Sequence, residues 1–207
     1  RFHGDFQGLE NWSDDIDVLD ELASTGIRSS FEHHAISQVT AFDGWGGRHE
    51  IRSNQPLYYL VRRGSETGTL DHALLEQAKA CGVEVRLSSP IKNTHGSTVE
   101  AKGPMLANVM AVGYLFETAM PDGQWACFSD HLAPGGYAYL LVQGGQGTVA
   151  TCLFREFTRN NECLTRTIAF FTEQAGLDMR KARPFGGVGN YGPPCRGEHE
   201  GRLLVGE

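Results

Sequence analysis

The chain has little of what a nucleic acid, a metal ion or a bilayer would require of it. Its 18 lysines and arginines are outnumbered by 25 aspartates and glutamates, for a formal net charge of −7. That balance supplies no basic field to collect a phosphate backbone, so no nucleic-acid partner is expected. Arg62-Arg63 and Arg180-Lys181 are the candidates for a local basic patch. The 5 cysteines, Cys81, Cys127, Cys152, Cys163 and Cys195, are odd in number, form no C-x-x-C and have no histidine at ligand spacing. Neither a zinc site nor a disulfide framework follows, and reduced thiols in a cytoplasmic setting are the simpler expectation. The side chains of His33 and His34 would point apart on an extended chain, so no metal is expected there. No apolar run reaches the roughly 18 residues of a membrane span, although peripheral contact with a membrane stays open. G-x-S-x-G, Walker A and H-E-x-x-H motifs are missing too, and with them the serine-hydrolase, P-loop and zincin readings.

What is present is ordinary globular composition. The 207 residues are 40% hydrophobic and 21% charged, enough for one core with or without a satellite layer. The 26 glycines gather in turns such as Gly135-Gly136 and Gly144-Gly145-Gln146-Gly147, the punctuation of short strands with tight connections. A first helix is expected with Ser13 as N-cap and Asp14, Asp15 and Asp17 at the positive end of its dipole. Ile16, Leu19, Leu22 and Ala23 form its apolar face, and Gly26 ends it. Strands follow over 35–42, 51–52 and 57–63, with a hairpin turn at Asp43-Gly44 or Gly46-Gly47.

A second helix over 70–81 has Thr69 as cap, Leu70, Leu74, Leu75, Ala78 and Cys81 as apolar face, and Gly82 as its end. An alternating strand over 83–87 would make this a piece of α/β winding. Strands over 109–116, 125–128, 138–143 and 148–154 read as an antiparallel meander. A third helix over 161–175 presents Leu164, Ile168, Phe171 and Ala175, with Gly176 at C′. Strands over 183–188 and 202–205 close the chain. The expected fold class is α+β, an antiparallel sheet with flanking helices joined to parts of a parallel α/β layer.

Two motifs stand out. Pro56-Leu57-Tyr58-Tyr59-Leu60-Val61-Arg62-Arg63 fits P-x-x-Y-x-V-x-R and is followed by Leu70-Asp71. Strand alternation puts Tyr59, Val61 and Arg63 on one face and Tyr58, Leu60 and Arg62 on the other. The second motif, Tyr137-Ala138-Tyr139-Leu140-Leu141-Val142, six further residues, then Val149-Ala150, keeps the spacing of Y-x-W-x-F-P-x6-V-G. In this order the two motifs resemble the flavin-dependent geranylgeranyl reductase family, relatives of the para-hydroxybenzoate hydroxylase type of flavoprotein. Tyr139, Leu141, Val142 and Ala150 depart from the family's Trp, Phe, Pro and Gly. The pocket stays apolar under those changes, and its substrate is left open.

The resemblance implies the central region of a flavoenzyme, without the N-terminal G-x-G-x-x-G and the C-terminal flavin motif. It divides the chain into a remnant of the FAD-binding domain over 1–104 and an antiparallel substrate-binding domain over 105–190. A return strand toward the flavin motif follows over 191–207. FAD is the implied cofactor, with Arg63 and then Arg62 as the cation near it. Asp5 and Gln7 lie in the run that follows the family's ribose-binding acid. Gly103, in Val99-Glu100-Ala101-Lys102-Gly103-Pro104, stands where the backbone nears the flavin. Tyr59, Tyr137, Tyr139 and Leu141 are the implied walls of a site for an apolar or lipid substrate. Tyr137 and Tyr139 are the candidates for proton delivery. No metal is implied. The implied reaction is reduction of a carbon–carbon double bond in an isoprenoid-like substrate. One alternative is a flavin-dependent aromatic hydroxylase. Another is a non-catalytic lipid- or protein-binding domain, since these residues without the phosphate loop lose a main anchor for FAD. Oligomeric state is not legible.

Overall fold

The computed structural model describes residues 4–89, 97–101, 107–190, 197–199 and 202–205. In chain order the elements are β1 (Phe6–Glu10), α1 (Val18–Ser24), β2 (His33–Ile36), β3 (Gln38–Asp43), β4 (Arg48–Arg52), β5 (Tyr58–Arg62) and α2 (Leu70–Ala80). They continue as β6 (Thr98–Glu100), β7 (Val109–Glu117), β8 (Gly123–Phe128), β9 (Tyr137–Gln143) and β10 (Gln146–Leu153). A 3-10 turn at Phe157–Arg159 leads into α3 (Asn160–Ala175), and β11 (Arg180–Gly189), β12 (Gly197–His199) and β13 (Arg202–Leu204) complete the chain. The class is α+β, as the pattern of periods predicts.

A small sheet of 3 strands runs β1-β5-β2, and a large sheet of 7 strands runs β11-β7-β10-β9-β8-β3-β4. A third sheet joins β12, β13 and β6. β8, β9 and β10 form the expected meander. β7 does not extend it: it pairs with β10 and β11, and the β9–β10 hairpin lies between β7 and β8. β3 pairs β8 in parallel, so strands from both sides of residue 104 share one sheet. An alternating pattern marks a strand but not its neighbour, which is why the meander was the simplest expectation.

Four local expectations need correction. The strand over 35–42 is two strands, because the chain passes at Ser37 from the small sheet to the large one. The cap of α1 is Asp17, not Ser13: Asp17 Oδ1 accepts from the Leu19 N–H at 2.9 Å, and Asn11 Oδ1 from that of Val18 at 2.7 Å. Ser13 is instead hydrogen-bonded to Glu10. Residues 83–87 form no strand, and Val83, Val85 and Leu87 are exposed with no strand beside them among the described residues. The face of α2 is also turned by about one residue: it buries Ala73 and leaves Leu74 exposed. In α3 the expected Ile168, Phe171 and Ala175 pack on the core, with Cys163 and Thr167 buried beside them.

The core follows from alternation in β9 and β5. Ala138, Leu140 and Val142 point toward α3 and pack with Phe171 and Val149. Leu141, on the opposite face, meets Leu60, Phe6 and Ile36 of the small sheet. Val61 points away from that contact and packs with Phe31 and Ala73, against the α1 and α2 side. The small sheet is thus held between the helices and the large sheet, and the space between the sheets sets the site.

Phe171 is fully buried and Trp45 is 94% exposed, so their truncations should differ sharply. Phe171→Ala is expected to lower stability by about 3–5 kcal/mol and Trp45→Ala by less than about 0.5 kcal/mol. Urea unfolding of both variants reads this difference, and equal losses would contradict the packing of α3.

Candidate functional site

A cleft of about 420 Å³ opens between the small sheet and the β7/β11 edge of the large one. Phe6, Leu115 and Phe116 give it apolar wall, and Arg62, Arg63, Lys181 and Arg183 line it together with Glu66 and Glu117. A smaller space of about 220 Å³ lies on the other side of Arg62, beside His34 and Gln143. The basic lining is a local inversion of the chain's acidic balance.

The two arginines at the end of β5 do different things. Arg63 is saturated: Nε and Nη2 donate to the two oxygens of Asp71 at 2.8 and 2.7 Å, and Nη1 donates to Gln7 Oε1 at 2.8 Å. Gln7 Nε2 donates in turn to Asp5 at 2.9 Å, and the Gly64 N–H donates to Asp71 at 2.8 Å. The fork-to-fork pair ties β5 to the first turn of α2. Burial pushes the Asp71 carboxyl up, but the bonds from Arg63 and Gly64 outweigh it and hold it below the ordinary carboxylate value.

Arg62 is less committed. Its Nη1 donates to Gln146 Oε1 at 3.2 Å across the two sheets, and Glu66 stands 4.0 Å away. Its Nε is buried and has no partner, which is unusual for a guanidinium in a folded chain.

Tyr137, Tyr139 and Leu141 share one face of β9, as alternation requires. Tyr137 and Tyr139 lie with ring centres 6.1 Å apart, and Phe128 extends the row at 6.1 Å from Tyr137. Tyr137 shows part of its ring to solvent, but its hydroxyl is hydrogen-bonded to Cys152, its cross-strand partner. Burial, then Cys152, pushes the Tyr137 phenol up to about 12. Burial pushes the Cys152 thiol up to about 12 as well, against the bond from Tyr137. Tyr139 is raised further, chiefly by burial. Both phenols keep their protons throughout the physiological range.

Among the residues expected to form the site, Asp5, Gln7 and Arg63 come together in one network, and Tyr137, Tyr139 and Leu141 form one face. Tyr59 joins neither. It points to the helix side, where its hydroxyl donates to Asp17 at 2.7 Å and its ring meets His33 edge-on. The hydrogen bond to Asp17 and then burial lift its phenol to about 12. Tyr58 takes the sheet-facing place and donates to Gln124 at 3.3 Å. Gly103 lies outside the described residues. The cleft also uses residues that the motifs do not contain: Phe6, Leu115, Phe116, Gln146, Lys181 and Arg183. The one sequence signal for them was the second basic pair, Arg180-Lys181, far from Arg62-Arg63 in the chain but near it in the fold. Among the described residues, no group of histidine, cysteine and carboxylate side chains could hold a metal. No described helix is long and apolar enough to cross a membrane.

No family model and no curated protein matches the sequence. Solved structures do match its shape. A peptidyl tryptophan dihydroxylase, QhpG, described as essential for tryptophylquinone cofactor biogenesis, aligns with a TM-score of 0.64 at 16% identity, over 99% of this chain and 52% of that one. A geranylgeranyl bacteriochlorophyll reductase-like protein from Thermoplasma acidophilum aligns at 0.62 and 15% identity, over 98% and 60%. A triple mutant of the flavin-dependent brominase Bmp2 aligns at 0.56 and 10% identity, over 99% and 63%. The likeness is one of fold. This chain spans between 52% and 63% of the length of those proteins.

The Arg63–Asp71 pair should be visible in the acid limb of stability. The contribution of Asp71 is complete above the ordinary carboxylate value, near about pH 4, and is lost as pH falls through its lower folded value. Asp71→Asn is expected to cost about 1–3 kcal/mol at pH 7 and to flatten the decline below about pH 4. Urea midpoints from pH 2 to 7 test this, and an unchanged acid limb in the variant would count against the pair.

Proposed function

We propose that this chain is the central part of an FAD-dependent oxidoreductase that reduces carbon–carbon double bonds of an apolar, isoprenoid-like substrate. The observation that carries this reading is the coincidence of two independent signals. The P-x-x-Y-x-V-x-R strand and the tyrosine strand resemble one reductase family, and the fold that contains them is shared with a reductase-like protein and a flavin-dependent brominase.

The described residues fit a flavin at one point. Arg62 lines the cleft with its guanidinium held only by Gln146 at 3.2 Å, so a group offering oxygen acceptors would find a donor there, and Phe6, Leu115 and Phe116 offer apolar surface beside it. Arg63 does not fit as a direct ligand, because Asp71 and Gln7 already occupy its guanidinium. It is a positioning residue, fixing the end of β5 from which Arg62 projects. When bound, the flavin supplies the hydride chemistry. This chain supplies binding through Arg62, apolar surface from Phe6, Leu115 and Phe116, and protons held at the hydroxyls of Tyr137 and Tyr139, while Leu141 is taken up by its packing against the small sheet. A phenol kept neutral by burial gives up its proton only to a strong base, which suits protonation of a developing carbanion in a dry site. Tyr59 has no part in this arrangement and serves the α1 cap.

The test is the visible spectrum of the purified chain before and after incubation with FAD and gel filtration. Retained yellow colour is expected, with affinity reduced about tenfold in Arg62→Gln and unchanged in Tyr59→Phe. Bleaching under anaerobic reductant, reversed by an apolar alkene, would support reduction, whereas oxygen uptake driven by an aromatic substrate would support hydroxylation instead. A folded, colourless chain, or equal retention by Arg62→Gln, would overturn the assignment of Arg62.

A further inference from the structure

We propose that the cleft between the small sheet and the β7/β11 edge is a binding site for a phosphate group, built on Arg62 and Arg183. The inference deepens the flavin reading and rests on it only for the identity of the molecule that carries the phosphate. A neutral ring edge needs donors but not an excess of positive charge, and this cleft supplies both. Two of its four lining cations are already matched: Arg63 by Asp71, and Lys181 by Glu117 at 3.0 Å. The other two are less committed. Arg62 donates to the neutral Gln146 at 3.2 Å and meets its one carboxylate, Glu66, only at 4.0 Å. Arg183 is exposed and makes no ion pair among the described residues.

The backbone of β11 places Arg183 in the lining. The register between Arg180 and Arg183 shifts, so that Arg183 comes opposite Leu115, which also lines the cleft. Within that bulge Lys181 adopts φ 51°, a left-handed conformation that a side chain other than glycine seldom takes. Bulges of this kind re-aim side chains at sheet edges, and here the result is a guanidinium on each side of one opening. A dianion between them would meet charge-assisted donors from both walls. Phe6, Leu115 and Phe116 give the cleft apolar surface beside those donors. The volume falls within the roughly 300–1,000 Å³ of small-molecule sites, so the phosphate can enter attached to an organic body. That body is either the flavin nucleotide itself or an amphiphilic substrate.

Calorimetric titration of the full chain with inorganic pyrophosphate tests the site without any flavin chemistry. Saturable binding is expected, weakened about tenfold by Arg183→Gln and by Arg62→Gln and unchanged by Arg28→Gln. Arg183 is exposed, so its variant keeps the fold, and a circular dichroism spectrum confirms that. FMN binding more tightly than riboflavin, with the advantage lost in Arg183→Gln, would assign the phosphate to the flavin. Decyl phosphate binding more tightly than pyrophosphate, with the same loss, would assign it to an amphiphile. A chain that binds pyrophosphate but no flavin would keep the site and sink the flavin reading. Absence of saturable pyrophosphate binding, or equal binding by all variants, would overturn the site.

Discussion

The structure depends on one strand having two buried faces. In β5, Leu60 and Val61 are both almost fully buried, one against the large sheet and the other against the helices. Side chains along a strand alternate sides, so this double burial fixes the register of everything that follows them. Arg62 must project between the sheets, and Arg63 must turn to α2 and Asp71. A slip of one residue would exchange the two arginines and bury a charge against Phe31 and Ala73. The hydrophobic contacts therefore decide which guanidinium faces the large sheet and which meets α2.

The polar bonds around that strand fix its position more than they add net stability. Phe6 N–H donates to Thr148 Oγ1 at 3.0 Å in a buried position, and Tyr58 and Arg62 reach Gln124 and Gln146. These bonds pin the small sheet to β8 and β10 at separated points. The Arg63–Asp71 fork locks the end of β5 to α2 at the border of the cleft. With Arg63 satisfied by Asp71, Arg62, held by Gln146 alone at 3.2 Å, is the more loosely bonded guanidinium at the sheet-to-sheet opening.

Much of this was legible in the sequence where a local rule suffices. Thr69 before Leu70, Gly176 after Ala175 and the Asp43–Gly47 turn were readable because caps and turns are set by a few adjacent residues. The faces of β5 and β9 followed from a period of two. What failed needed partners distant in sequence. Nothing near Ser37 announces that the chain changes sheets there, and nothing in 109–117 says that β10, not β8, lies beside it. Ser13 and Asp17 are both acceptable caps by residue type, and Asn11 and Tyr59 decide between them. The motif names Arg63 ahead of Arg62, and the Asp71 fork that holds Arg63 is visible only when α2 is placed. Arg183 carried no signal, since its place in the cleft lining follows from the register shift in β11.

The most direct test observes the two arginine side chains at once. In a nitrogen-15 spectrum of the chain, the Nε–H resonances of Arg62 and Arg63 can be assigned by their loss in Arg62→Lys and Arg63→Lys. On addition of FMN, the Arg62 resonance should move as its guanidinium meets an acceptor in the cleft, while that of Arg63, held by Asp71, stays in place. Movement of Arg63 with Arg62 unchanged would contradict the assignment of roles along β5, and with it the account of the cleft.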